Sequence, residues 1–312
     1  MKIHAVNKII PVNDINTVDA HVHVWVKFEE DISLKTDLEV DDFKLIESSL
    51  LNFRKNGGSL VIDCTPYGCG RDGSMLHEIS QKTGVEIVCT TGFHRREYYL
   101  SDHEIWDLNL EDALAFFIEE TKTGLKETLN RDIKVKAGII KIPFLGVLDG
   151  AYETLTEAAI LASIETEIPL LIHTERGLNV EWFSDYLEEK GIKPEKVVFC
   201  HVDKRPDIKF HEKLAEKGYY LEYDTFLREK YEPEKNTYKL IDSMVKSGYS
   251  DSIMVGSDIA GNAMWATVNE AIGYGGFIKM LQQRFLKNYS NPEISANILG
   301  GNAARFLSVR DG

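Results

Sequence analysis

The feature that most constrains this chain is an alternation that runs its whole length. Short apolar, β-branched runs at residues 17–24, 59–65, 86–92, 136–142, 168–173, 196–201, 218–223 and 252–258 are each followed by a longer amphipathic segment. Those segments fall at 41–55, 74–82, 111–130, 152–165, 180–190, 206–217, 236–247 and 269–288, with apolar positions three and four apart, as in Leu155, Ala158, Ala159 and Ala162. Strict strand–helix alternation implies a parallel sheet, and eight units are what a (β/α)8 TIM barrel of the α/β class requires. A doubly wound open sheet is the alternative; against it, the first β–α turn (24–38) is long and carries no Gly-rich phosphate fingerprint. No composition break marks a linker, so a single domain over 1–312 is expected, with 1–16 as an extension before the first strand.

The formal net charge of −14 argues against nucleic acid or an anionic membrane as partner. No stretch approaches the ~18 apolar residues of a membrane span, and residues 1–16 lack a charged-then-apolar leader pattern. Cys64, Cys89 and Cys200 lie in strand-like runs, Cys69 does not, and no Cys-x-x-Cys pair exists. Free buried thiols and a cytoplasmic location are therefore expected.

Chemistry gathers where the apolar runs end. His21-Val22-His23 closes the first run, Lys141 lies in the fourth, His173 and His201 end the fifth and sixth, and Asp258 ends the eighth. Barrel enzymes carry their chemistry at the C-terminal ends of the strands. Period-2 geometry sends the two imidazoles of a His-x-His strand to one face, where they can share one metal ion. A single strand-end histidine is ordinarily a hydrogen-bonded core or loop residue, and His4, His77, His103 and His211 are read that way. Four imidazoles and a carboxylate converging on one barrel mouth are read as a metal centre. Lys141 fits such a centre only if its amine is carboxylated by CO2 to a carbamate, because an ammonium has no lone pair to give; otherwise it is a salt-bridged or solvated lysine.

The fragments Asp19-Ala20-His21-Val22-His23, Lys141, His173-Thr174-Glu175, His201-Val202-Asp203 and Gly256-Ser257-Asp258 resemble the phosphotriesterase-like branch of the amidohydrolase superfamily. Gly70-Arg71-Asp72 and the stretch from Asn302 to Leu307 are similar to that branch as well. The resemblance runs from about residue 17 to the C-terminus and fills all six metal positions. It implies a barrel hydrolase with two divalent ions, zinc by expectation, acting on ester bonds. One ion would take His21, His23 and Asp258 and the other His173 and His201, with carboxylated Lys141 and a hydroxide between them. Asp258 would then accept the proton of the attacking hydroxide, and no covalent intermediate would be needed.

The loops bear on the substrate. Thr91-Gly92-Phe93-His94-Arg95-Arg96-Glu97-Tyr98-Tyr99 puts a polar ring and two guanidinium groups where triesterase and acyl-lactonase relatives have an aromatic residue. Tyr223-Asp224-Thr225 departs from the Asp-Arg of many acyl homoserine lactonases. His94, Arg95, Tyr98, Tyr99, Lys204, Arg228 and Trp265 are the expected substrate contacts, with Trp265 as a wall in an uncharged loop. Paired cations are common on a barrel rim, but together these favour a lactonase opening a small anionic, phosphorylated-sugar-type lactone. Phosphotriesterase, carboxylesterase or N-acyl homoserine lactonase activity on the same site is the alternative, and a non-catalytic metal-binding barrel the third reading. The partner is a small molecule, and a homodimer is left open.

Overall fold

Each run of alternating apolar residues must bury two faces, one inward and one toward a helix, and the chain separates these into two cores. The computed structural model describes residues 1–28, 32 and 35–309. An antiparallel hairpin, β1 (Lys2–His4) and β2 (Ile9–Pro11), precedes the barrel. The staves are β3 (Thr17–Val22), β4 (Gly58–Asp63), β5 (Glu86–Val88) with β6 (Thr90–Gly92), β7 (Ile139–Phe144), β8 (Leu170–Thr174), β9 (Val197–Cys200), β10 (Tyr220–Tyr223) and β11 (Ile253–Val255). All pairings among them are parallel.

The third stave, expected as one run over 86–92, is interrupted at Cys89. Its first half pairs with β4 and its second with β7. Between them the Cys89 carbonyl accepts the Gly138 N–H at 3.0 Å, which hands the stave from one neighbour to the other. The first and eighth staves meet through one parallel bridge, Val22 to Ile259, rather than a continuous ladder. Asp258 N–H donates to the His21 carbonyl at 2.8 Å and His23 N–H to Ile259 at 3.0 Å across that seam. Gly256 permits the approach: a Cβ there would lie 2.7 Å from that of His21.

Val18, Ala20, Leu60, Ile62, Val88, Ile139, Leu171, Val198 and Met254 form the barrel interior, closed below by Ile3 and Ile10 of the hairpin and by Phe306 and Leu307. The alternate residues, among them Val61, Ile87, Ile140, Ile172, Phe199 and Leu221, pack outward against the helices. The expected helix over 269–288 is two helices, Asn262–Ala271 and Tyr274–Asn288, broken where Gly273 adopts φ +70°. The segment expected over 111–130 ends its α-helix at Lys122. The fold is a (β/α)8 barrel. No helix among the described residues is long and apolar enough to cross a membrane, and all four cysteines are free and buried.

Candidate metal centre and substrate cavity

The strand ends deliver the six expected ligands to one cavity of about 240 Å³, lined by His21, His23, Lys141, His173, His201 and Asp258. The His21 ring centre lies 5.7 Å from that of His23 and 4.8 Å from that of His201, and His173 is 4.7 Å from His201. His21 Nε2 is 3.9 Å from Asp258 Oδ1. Strict alternation would put Ala20 and His21 on opposite faces, yet Ala20 joins the interior core and His21 reaches the cavity. The register shift between Asp19 and Val22 re-aims the backbone there. Asp19 secures the turn by accepting the N–H groups of His21 and Ser257 at 3.0 Å each, and the Tyr274 hydroxyl at 2.7 Å.

Two imidazoles are hydrogen-bonded from behind through Nδ1, and a third has a carboxylate beside it. His21 Nδ1 is 2.7 Å from Glu222 Oε1 and His23 Nδ1 is 2.8 Å from the Thr65 hydroxyl. His201 Nδ1 lies 2.6 Å from Asp224 Oδ2, though off the line of a good hydrogen bond. Burial, and then the Lys141 charge, holds His21, His23 and His94 well below the ordinary histidine range; for His201 burial is followed by Lys204. These rings are therefore neutral, the form that binds metal. His201 (φ +63°) and Asp258 (φ +48°) are both left-handed, a strain tolerated where neighbouring groups over-determine the backbone.

The donor set fits divalent cations. His21, His23 and Asp258 present ligand atoms within 4.8 Å of one another. Lys141 is wholly buried, and among the described residues its ammonium donates to the Cys64 carbonyl at 2.7 Å. A buried ammonium with a single neutral partner is costly, and conversion to an anion facing cations removes that cost. Gly92 makes room for this stave: at φ +98°, a Cβ there would sit 2.0 Å from the Lys141 carbonyl oxygen.

Of the expected substrate contacts, His94, Arg95, Tyr98, Lys204 and Arg228 line the cavity. Tyr99 and Trp265 do not. The Tyr99 hydroxyl instead accepts the His94 N–H at 2.9 Å. Trp265 is buried on the helix Asn262–Ala271, where its indole donates to the His23 carbonyl at 3.0 Å. Arg95 binds Glu175 at 2.6 Å and the Tyr98 hydroxyl at 2.9 Å, and also pairs with Glu97. Lys204 and Lys230 approach the Tyr231 ring, at 5.7 and 5.1 Å. Glu175, Thr65, Glu222 and Asp224 escaped the sequence reading as site residues. Glu175 is 3.3 Å from His173 Nε2 and is pulled down to about 2, chiefly by that contact. The available signal for Glu222 was a carboxylate inside the otherwise apolar run 218–223.

A sequence profile of the phosphotriesterase family matches residues 1–286. The chain belongs to that family. An aryldialkylphosphatase from Saccharolobus solfataricus is 27% identical over 283 residues, spanning 86% of this chain and 87% of that one. A phospho-furanose lactonase from Mycoplasmopsis synoviae is 29% identical over 269 residues, spanning 80% and 74%. The crystal structure of a lactonase from Listeria monocytogenes superposes with a TM-score of 0.88 over 100% of both chains at 20% identity, which speaks for the shared fold. As a phosphotriesterase-family protein the chain is a hydrolase of ester bonds in small substrates, from a family that depends on metal.

Proposed function

We propose that this phosphotriesterase-family enzyme opens a small phosphorylated lactone. Two divalent cations would be held by His21, His23, Asp258, His173, His201 and carboxylated Lys141, with zinc the expected metal. The reading rests on one observation: Lys204, Arg228 and Lys230 line the same small cavity as the candidate ligands, in a chain of net charge −14. A local cluster of cations in an acidic protein suits an anionic substrate, and a planar guanidinium suits a phosphate. The name of the Mycoplasmopsis relative points the same way.

When bound, the cations supply an activated water and a Lewis acid for the lactone carbonyl. The side chains do the rest. Lys204, Lys230 and Arg228 anchor the phosphate and fix the ring, while His94, beside His173 at 4.7 Å between ring centres, offers a polar edge to a ring hydroxyl. Arg228 donates to Asp258 Oδ2 and so orients the carboxylate, which would take the proton of the attacking water and return it to the departing ring oxygen. Addition of water breaks the acyl C–O bond and yields a hydroxy acid.

The aryldialkylphosphatase relative supports triester hydrolysis as a second reading. A substrate panel separates the two. Turnover of a γ-lactone phosphate at least about tenfold above that of its unphosphorylated counterpart supports the proposal. Turnover confined to aryl triesters or long-chain acyl lactones defeats it.

A further inference from the structure

Strand β10 supplies none of the six candidate ligands, yet it pairs on one side with β9, which leads to His201, and on the other with β11, which leads to Asp258. Glu222 within it and Asp224 just beyond its end are two residues apart, the spacing that puts both carboxyl groups on one face of an extended backbone. Both are wholly buried. Glu222 Oε1 is 2.7 Å from His21 Nδ1. Asp224 Oδ2 is 2.6 Å from His201 Nδ1 and also accepts the His201 backbone N–H at 3.1 Å, which steadies that residue in its left-handed conformation. Ligand atoms of the four residues all lie within 4.8 Å of one another. His21 and His201 are assigned to different cations, so this stave touches both halves of the metal centre from beneath.

We propose that Glu222 and Asp224 form a cross-tie between the two metal sites, through which an ion held at one site prepares the histidine of the other. The inference rests on the two-cation reading given above, but not on the identity of the substrate. The partner of a ligand's far nitrogen sets ring orientation and basicity. His21, with a cation held on its cavity side, would grip Glu222 more tightly through Nδ1. Glu222 and Asp224 are wholly buried side by side, so Glu222 cannot settle without fixing Asp224, and Asp224 holds the His201 backbone N–H and abuts its ring. The first ion thus bears the ordering cost of the second, which is positive coupling. Glu222 and Asp224 also meet each other side chain to side chain, so the two carboxyl groups are held as a pair between the two histidines. Both are positioning residues, since neither lines the cavity.

The test is metal affinity rather than turnover. Chelator-stripped enzyme, kept in bicarbonate, is titrated with Co2+ by calorimetry and visible absorption. In a His173→Ala background, which leaves the His21, His23 and Asp258 site, Asp224→Asn should weaken Co2+ binding about tenfold although, among the described residues, Asp224 is hydrogen-bonded to His201 and not to any of those three side chains. Reciprocally, in a His23→Ala background Glu222→Gln should weaken the remaining His173 and His201 site about tenfold. Matching thermal midpoints of the metal-free variants show that the fold is kept, and either arm carries the test if the other variant fails to fold. Unchanged affinity at the remote site overturns the cross-tie. Binding of one Co2+ by the wild-type chain overturns the two-cation reading and the cross-tie together, whereas a wrong substrate class leaves these affinities untouched.

Discussion

Arg228 donates from Nη2 to two oxygens of Asp258, the backbone carbonyl and Oδ2, at 2.6 Å each. One guanidinium thereby holds the left-handed backbone of Asp258 at the end of the eighth stave and one edge of its carboxylate. The same arginine lines the cavity beside Asp258, the proposed proton acceptor, and would meet an anion that enters.

Arg228→Met should therefore act on both. Loss of a charged hydrogen bond is worth ~1.5–3 kcal/mol, which predicts KM for a lactone phosphate rising about ten- to a hundredfold. The kcat should fall as well, because Asp258 loses its support. Steady-state kinetics with phosphorylated and unphosphorylated lactones check this; equal losses on both would remove the phosphate-binding role.

Lys141→Ala should lose metal and activity together. Short-chain carboxylates added in millimolar excess should restore part of both by filling the space between the cations. Elemental analysis alongside turnover decides the matter, and a fully active Lys141→Ala enzyme would sink the bridging role.

Asp258→Asn should retain at least one metal ion while turnover drops by ~10²–10⁴, the usual contribution of a positioned acid–base group. The amide keeps an oxygen for the metal but cannot take a proton. Unchanged turnover would falsify the proton-acceptor assignment.

His211 gives a stability prediction with a definite sign. It sits against the Arg205 carbonyl at 2.8 Å and the Tyr223 hydroxyl at 3.0 Å, and burial lowers it to about 4. A histidine depressed when folded binds fewer protons than in the unfolded chain, so stability is lost as pH falls from about 6.5 toward 4. The full loss is ~3 kcal/mol, because each tenfold drop in proton affinity is worth about 1.4 kcal/mol. His211→Gln should make the fall in thermal midpoint over that window shallower, by about one proton in the linkage slope. An identical slope in both proteins would rule His211 out.

Arg71 belongs to a buried ion cluster. It binds Glu120 through two nitrogens at 2.9 and 2.6 Å, Glu127 at 2.9 and 2.7 Å, and the Thr90 carbonyl at 2.7 Å. Arg71→Met would leave Glu120 buried without its cation and should cost ~3–5 kcal/mol in denaturant unfolding. A loss below about 1 kcal/mol would mean that the cluster holds little of the second and third staves together.

Much of the fold, and the convergence of the six candidate ligands on one cavity, was legible because the governing rules are local. Apolar alternation fixes which residues of a stave face inward, and the strand ends name their own chemistry in His21, His23, Lys141, His173, His201 and Asp258. Trp265 misled because an uncharged stretch gave no sign of the helix Asn262–Ala271, which turns the indole inward onto the His23 carbonyl. Tyr99 misled because adjacency to Tyr98 says nothing about which ring a short 3-10 turn directs to the cavity.

The amino-acid order alone determined the eight-unit barrel, the candidate metal ligands at its mouth and membership in a hydrolase family, since periodicity and ligand type are properties of single segments. Only the tertiary structure decided which distant groups meet: Glu222 with His21, Asp224 with His201, Arg228 with Asp258. Those pairings depend on barrel stagger and on the register shift at the first stave, and both arise from packing between staves rather than from any one of them.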